Sequence, residues 1–152
     1  MYKFRGVSNL SLDAKGRIVL PARYRERLAE ICSSQLVITI DTDQPCLLLY
    51  PLNEWELIEE KIEALPSFNP MTRRIQRLLI GHATDVEVDT NGRMLLSTPL
   101  REFAQLSKKV VLIGQGKKFE LWDEAMWAQR MNEWITDKSD AEMPQALAEL
   151  TL

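Results

Sequence analysis

Cysteine and histidine are nearly missing from this chain, with two of the former and one of the latter in 152 residues. Cys32 and Cys46 have neither CxxC spacing nor a neighbouring His, so no metal site or disulfide framework is expected; both read as buried thiols in a reducing cytoplasm. With His82 alone, a Ser-His-Asp device has one candidate base, and no nucleophile elbow accompanies it. His82 reads instead as a packed or capping residue after an apolar helix. No apolar run approaches the roughly 18 residues that a membrane-spanning helix needs. The opening MYKFRGVSNL lacks the apolar stretch of a secretory signal. No cofactor, metal or small-molecule pocket is evident, and a cytoplasmic location is expected.

Net positive charge is also lacking: 19 Lys and Arg face 22 Asp and Glu, for −3. Taken whole, that argues against a polyanionic partner, but the charge is unevenly spread. Residues 1–40 hold seven basic residues (Lys3, Arg5, Lys15, Arg17, Arg23, Arg25, Arg27) and three acidic ones, a net of +4. Residues 121–152 hold two basic and seven acidic residues, a net of −5. A basic face on an acidic body is what counts for binding a polyanion.

What the chain does have is a turn written twice. SLDAKGRIVLPARYR at 11–25 returns as EVDTNGRMLLSTPLR at 87–101. Asp13 and Asp89, Arg17 and Arg93, and Arg25 and Arg101 are each separated by 76 positions. Such a spacing marks an internal duplication. Each copy predicts a tight strand–turn–strand element around its Gly, then a short helix, then a hairpin: 35–40 with 46–50 in the first, 110–113 with 119–122 in the second. Pro21 suits the first position of the first helix, in which Tyr24, Leu28 and Ile31 fall at helical spacing.

An amphipathic helix follows each copy. Asn53 is the expected cap of one, with Trp55, Ile58, Ile62 and Leu65 as its stripe; Asp123 caps the other, with Trp127, Met131, Trp134 and Ile135 on one face. Asn69-Pro70 opens a connecting helix with Met71, Ile75, Leu78 and Leu79 inward and Arg73, Arg74 and Arg77 outward. The last dozen residues are acidic, Ala-rich and expected to fray. The implied division is a first repeat at 7–53, connecting helices at 54–82, a second repeat at 83–126, and a C-terminal helix with an acidic tail at 127–152. Fold class is α+β and β-rich. Neither unit can bury both faces of its sheet, so two units packed about a pseudo-twofold axis would close a small barrel.

Two symmetry-related Asp residues suggest a carboxylate dyad sharing a proton. That chemistry needs Gly directly after a small hydroxyl residue, whereas Asp13-Ala14-Lys15-Gly16 and Asp89-Thr90-Asn91-Gly92 carry it one place late. An enzyme is therefore not expected. GQGKK at 114–118 lacks the strand–loop–helix context of a phosphate cradle and reads as a hairpin tip. Nucleic-acid binding fits better. A two-stranded β element enters the major groove, and Arg binds guanine O6 and N7 in bidentate fashion. Lys15, Gly16 and Arg17 make the expected reading loop, with Arg5, Arg23, Arg25 or Arg27 supplying phosphate contacts and a steep salt dependence. Asp13 and Asp89, with Arg93, form the structural repeat motif: each Asp either steers its Arg or caps its own turn. The second copy loses charge, since Lys15, Arg23 and Arg27 become Asn91, Pro99 and Phe103. The first copy is therefore expected to touch the polyanion and the second mainly to complete the barrel.

RGVSNLSLDAKGRIVLPARYRERL, DTDQPCLLLYPLNEW, RRIQRLLIGHA and the second DTNGR resemble the MraZ family over essentially the whole chain. Duplicated Asp-x-x-x-Arg motifs are that family's hallmark, and both are intact as Asp13/Arg17 and Asp89/Arg93. The resemblance implies two SpoVT/AbrB-like units in a swapped-hairpin barrel that assembles into rings. It also implies a nucleoid-associated regulator, usually a repressor, binding repeated double-stranded DNA boxes upstream of the division and cell-wall gene cluster. By position, Lys15-Gly16-Arg17 is then the DNA-reading element with Arg5 nearby. The alternative from another class is a ring-forming scaffold whose basic loop engages acidic proteins.

Overall fold

A computed structural model of the chain describes residues 3–137 and 144–150. The first repeat runs β1 (Phe4–Ser11), β2 (Arg17–Val19), α1 (Ala22–Cys32), β3 (Gln35–Ile40), β4 (Leu47–Pro51) and α2 (Leu52–Glu63). A short α3 (Pro70–Ile75) passes directly into a π-helical turn at Gln76–Ile80. The second repeat follows the order of the first: β5 (Thr84–Glu87), β6 (Arg93–Leu95), α4 (Thr98–Phe103), β7 (Lys109–Gly116), β8 (Phe119–Asp123) and α5 (Glu124–Thr136). The four-residue α6 (Gln145–Ala148) is exposed and falls in the stretch expected to fray; residues 139–143 of that stretch lie outside the described residues.

The strand order of the larger sheet is β1-β7-β8-β4-β3-β5, and β2 pairs with β6 in a separate two-stranded ladder. Replacing every strand by its counterpart in the other repeat returns the same order reversed. A pseudo-twofold axis therefore passes between β4 and β8. Both hairpins form as expected, β3 with β4 and β7 with β8. The first strand of each repeat adds to the other repeat's hairpin, β1 on β7 and β5 on β3. The fold is thus α+β, β-rich, duplicated and swapped. Its barrel wall is made of two ladders around one core.

The two strand–turn–strand elements need correction. Both turns form, but their flanking strands do not pair with each other: β1 joins β7 and β2 joins β6. The cause is length. After three residues β2 ends at Leu20-Pro21, where the ring removes an N–H donor and α1 begins. The backbone bonds Asp13 N–H to Arg17 O (2.9 Å) and Gly16 N–H to Asp13 O (3.0 Å) close the turn, and β2 is left to pair with β6.

Alternation along the short strands places Ile18 and Leu20, with Met94 and Leu96, in the shared core beside Leu28, Leu36, Ile38, Leu49, Leu112 and Leu121. Phe4, Tyr24 and Phe119 form an aromatic cluster there, with centroid separations of 4.3–6.0 Å. Neither repeat owns a core of its own, so one repeat could not bury its apolar surface without the other.

The helices depart from expectation at three points. Asn53 lies inside α2, because Pro51 ends β4 and itself occupies the N-cap position without a side-chain bond. Of the α2 stripe, Trp55 and Ile62 are buried but Leu65 is exposed. Met71 points to solvent and Thr72 is buried instead. Positions three and four before Ile75 share a helical face, and the Asn69 cap, accepting from Met71 N–H at 2.9 Å, sets the register in favour of Thr72. On α5, Asp123 caps as expected and Trp127 packs on the cluster of Cys46, Val111, Ile113 and Trp122. Trp134 packs edge-on against Trp122 and Trp127, at centroid separations of 5.8 and 6.0 Å, while staying partly exposed. Met131 and Ile135 are exposed.

Candidate nucleic-acid interface

Both turns are built by the same carboxylate device. Asp13 Oδ1 accepts from the N–H groups of Lys15 (2.9 Å) and Arg17 (2.8 Å), an Asx turn, while Oδ2 accepts from Arg17 Nε at 2.9 Å. In the second copy Asp89 Oδ1 takes the N–H groups of Asn91 and Arg93, both at 2.9 Å, and Oδ2 takes Arg93 Nε at 3.2 Å. The carboxylate thus caps its turn and steers its Arg at once. The backbone N–H of Arg17, followed by the other donors, holds the Asp13 carboxyl below its ordinary value; Arg93 N–H does the same for Asp89. Both stay charged at neutral pH.

Spending Nε on the carboxylate fixes the guanidinium and leaves its two terminal nitrogens pointing away. Among the described residues, neither Nη of Arg17 has a hydrogen-bond partner. A paired, pre-oriented fork of this kind suits two acceptors lying side by side, as on guanine or a phosphate.

The β2–β6 ladder sets these forks on a common face. Arg17 lies opposite Leu95, Val19 opposite Arg93, and Ile18 opposite Met94. Ile18 and Met94 point into the core, so the outer face carries Arg17, Val19, Arg93 and Leu95 in a twofold pattern. Val19 and Leu95 are 50% and 56% exposed on a surface where the fold gains nothing from an aliphatic side chain. They were missed in the sequence as contact candidates. The signal was the unbroken aliphatic run on both sides of each buried position.

The turns are also interlocked across the repeats. Leu20 N–H donates to Gly92 O at 2.9 Å and Leu96 N–H to Gly16 O at 2.8 Å. Gly16 and Gly92 have φ of +85° and +76°, which glycine adopts without strain. A Cβ on Gly16 would meet the guanidinium of Arg101, and one on Gly92 that of Arg25. Arg25 Nη1 donates to Asn91 O at 3.3 Å.

The expected site residues consequently fall in three places. Lys15, Gly16 and Arg17 stand together at the first turn, with Asp13 behind them. Arg25 lies on the turn of the second repeat, against Asn91 and Gly92. Arg5 and Arg23 line a separate cavity with Lys3, Tyr24 and Arg27, a concave site that was not legible in the sequence.

Among the described residues one group could approach a metal: Asp41, Cys46 and Glu120, with donor atoms within 4.8 Å of one another. Burial, then the neighbouring Glu120 and Asp41 carboxylates, push the Cys46 thiol far up, and its sulfur donates to Asp41 Oδ2 at 3.5 Å. Held protonated, the thiol serves here as a hydrogen-bond donor. His82 is a packed residue, its Nδ1 2.8 Å from Leu78 O and its ring against Phe103.

The family model for the MraZ protein matches residues 3–78 and again 79–148. The chain belongs to the MraZ family. It is 55% identical over 151 residues to a Transcriptional regulator MraZ of Halorhodospira halophila, covering 98% of this chain and 99% of the relative. Identity is 52% over 149 residues to one of Alkalilimnicola ehrlichii, with the same coverage, and 51% over 146 residues to one of Legionella pneumophila, covering 96% and 95%. The two matches meet within the π-helical turn, between residues 78 and 79, so the duplicated turn marks a duplicated MraZ unit. Membership of this family of regulators sets aside the carboxylate dyad: the protein is not an enzyme. No helix among the described residues is long and apolar enough to cross a membrane.

Proposed function

We propose that this MraZ-family chain is a transcriptional regulator that reads double-stranded DNA through its first turn and the outer face of the β2–β6 ladder. The observation that carries the reading is the Asp13–Arg17 pairing, which spends Nε and presents both Nη groups from a two-stranded ribbon. Such a ribbon fits a major groove roughly 12 Å wide, where Arg17 takes guanine and Val19 and Leu95 meet thymine methyl groups. Lys15 adds a phosphate contact in the first repeat, and Asn91 at the matching position of the second does not.

The targets are repeated boxes upstream of division and cell-wall genes, and the regulator acts as a repressor in a ring. Exposed apolar side chains on α5 (Met131, Trp134, Ile135) and on α2 (Leu57) support self-association. Several weak reading loops on one assembly gain affinity for spaced boxes through effective concentration. Footprinting on the upstream region of the gene tests the reading: regularly spaced protected boxes are expected. Binding indifferent to sequence would overturn it in favour of a scaffold with a basic loop. Light scattering at micromolar concentration separates the ring from a monomer.

A further inference from the structure

Lys3, Arg5, Arg23 and Arg27 line a cavity of about 250 Å³ together with Tyr24, and among the described residues no carboxylate lines it. Three other cavities carry acidic side chains: Glu56, Glu59 and Asp85 in one, Glu26 and Asp89 in another, Glu54 in a third. Like charges lining one concavity favour an anion there.

The duplication supplies an internal control. At the 76-residue offset Arg23, Tyr24 and Arg27 are replaced by Pro99, Leu100 and Phe103, and Lys3 and Arg5 by Leu79 and Gly81. On the matching helix the apolar Phe103 packs against the core and the His82 ring, while Leu79 and Gly81 belong to the π-helical turn and its end rather than to a strand. The fold is therefore completed in one repeat without any of these cations.

The cavity is also built. Arg23 Nη2 donates to Ser8 Oγ (3.1 Å) and Tyr24 Oη (2.9 Å), and its Cζ lies 4.5 Å from the Tyr24 ring centroid. Tyr24 Oη in turn donates to Arg5 O at 2.5 Å, tying the strand to the helix. Gly6, at φ +105°, leaves room where a Cβ would stand 3.3 Å from Arg23 Nη2. Arg5 and the Asp13 turn lie at opposite ends of β1, about 25 Å apart at the usual strand rise.

We propose that this cavity binds the diphosphate group of a small molecule, at a site distinct from the DNA-reading turn. Two adjacent phosphoryl groups bring charge and acceptor oxygens suited to the Arg and Lys side chains that line the cavity. A duplex backbone presents its phosphates singly along a convex ridge, which uses such a recess poorly.

Calorimetric titration of the full chain with inorganic pyrophosphate, in the absence of DNA, tests this. Saturable binding of one pyrophosphate per chain is expected, weakened by about tenfold or more in Arg5→Ala and in Arg27→Ala. Both side chains are exposed, and thermal melts check that these variants fold. Arg17→Ala, at the turn, should bind pyrophosphate within about twofold of the wild type. Absence of saturable binding overturns the proposal, as does equal weakening by Arg17→Ala, which would mean general attraction to a basic chain. If pyrophosphate fails to bind while Arg5→Ala and Arg27→Ala lose DNA affinity, the cavity serves the DNA backbone and the proposal also falls.

Discussion

Arg25 donates through Nη1 to the carbonyl of Asn91, so the helix of one repeat grips the turn of the other. Arg101 occupies the matching place against Gly16. Together with the reciprocal Leu20–Gly92 and Leu96–Gly16 hydrogen bonds, these contacts make each turn depend on both halves of the chain. An Arg expected among the phosphate contacts thus spends one of its donors inside the fold.

Gly92→Ala should therefore destabilise the protein by about 1–2 kcal/mol from the left-handed backbone alone, with further loss from crowding Arg25. Urea denaturation of Gly92→Ala, Arg25→Ala and the double variant separates the two terms. The double variant should recover only the crowding part. Full recovery would mean the backbone conformation costs nothing.

For DNA, Arg17→Ala should cost about 1–3 kcal/mol, roughly 5- to 150-fold, and relax preference at one base pair. Arg93→Ala should cost less. Its guanidinium is held as Arg17's is, but it lacks the flanking cation that Lys15 provides in the first turn. Gel shifts on one operator decide this, and equal losses would sink the asymmetry between the repeats.

Lys15→Asn converts the first turn into the chemistry of the second. Affinity should fall at every sequence alike, and the slope of log K against log salt should become shallower by about one unit, as expected for a single lost phosphate contact. A change in base preference instead would make Lys15 a reader.

These turns were the most legible part of the chain. Asp13, Gly16 and Arg17 with Asp89, Gly92 and Arg93 declare a duplication because a capped turn fixes residue type at every position, whereas a strand fixes only polarity. The hairpins were legible too, since both strands of each lie close in sequence. What escaped was anything decided between the repeats. The partner of Arg17–Val19 is 76 residues away, and a three-residue strand carries no pattern that could name it. Arg5 and Arg23 were recognisable as basic, but it is the bonds of Tyr24 to Arg5 O and of Arg23 to Ser8 Oγ that bring them to one cavity. Asn53 misled because a good capping residue stood two places after a Pro that starts the helix without a side-chain cap.

Acid should act on the fold through Asp123. Its Oδ1 accepts from Ser107 Oγ at 2.6 Å and Ser107 N–H at 3.0 Å, and its Oδ2 from Met126 N–H at 3.4 Å, joining the entry to β7 to the start of α5. Burial by itself would raise this carboxyl. The Ser107 hydroxyl and N–H, with the Met126 and Ala125 N–H groups, outweigh it and hold the carboxyl below its ordinary value of 3.8. A folded-state value below the unfolded one gives stability that is complete above the unfolded pKa and lost as pH falls through the folded one. Asp123→Asn carries no charge at any pH and should be less stable at pH 7 by about 1 kcal/mol. Its deficit should shrink below about pH 4, where the wild-type carboxylate takes up its proton, so the two curves of unfolding free energy against pH converge. A gap that stays constant into acid would mean that geometry alone, and not the charge, makes this cap.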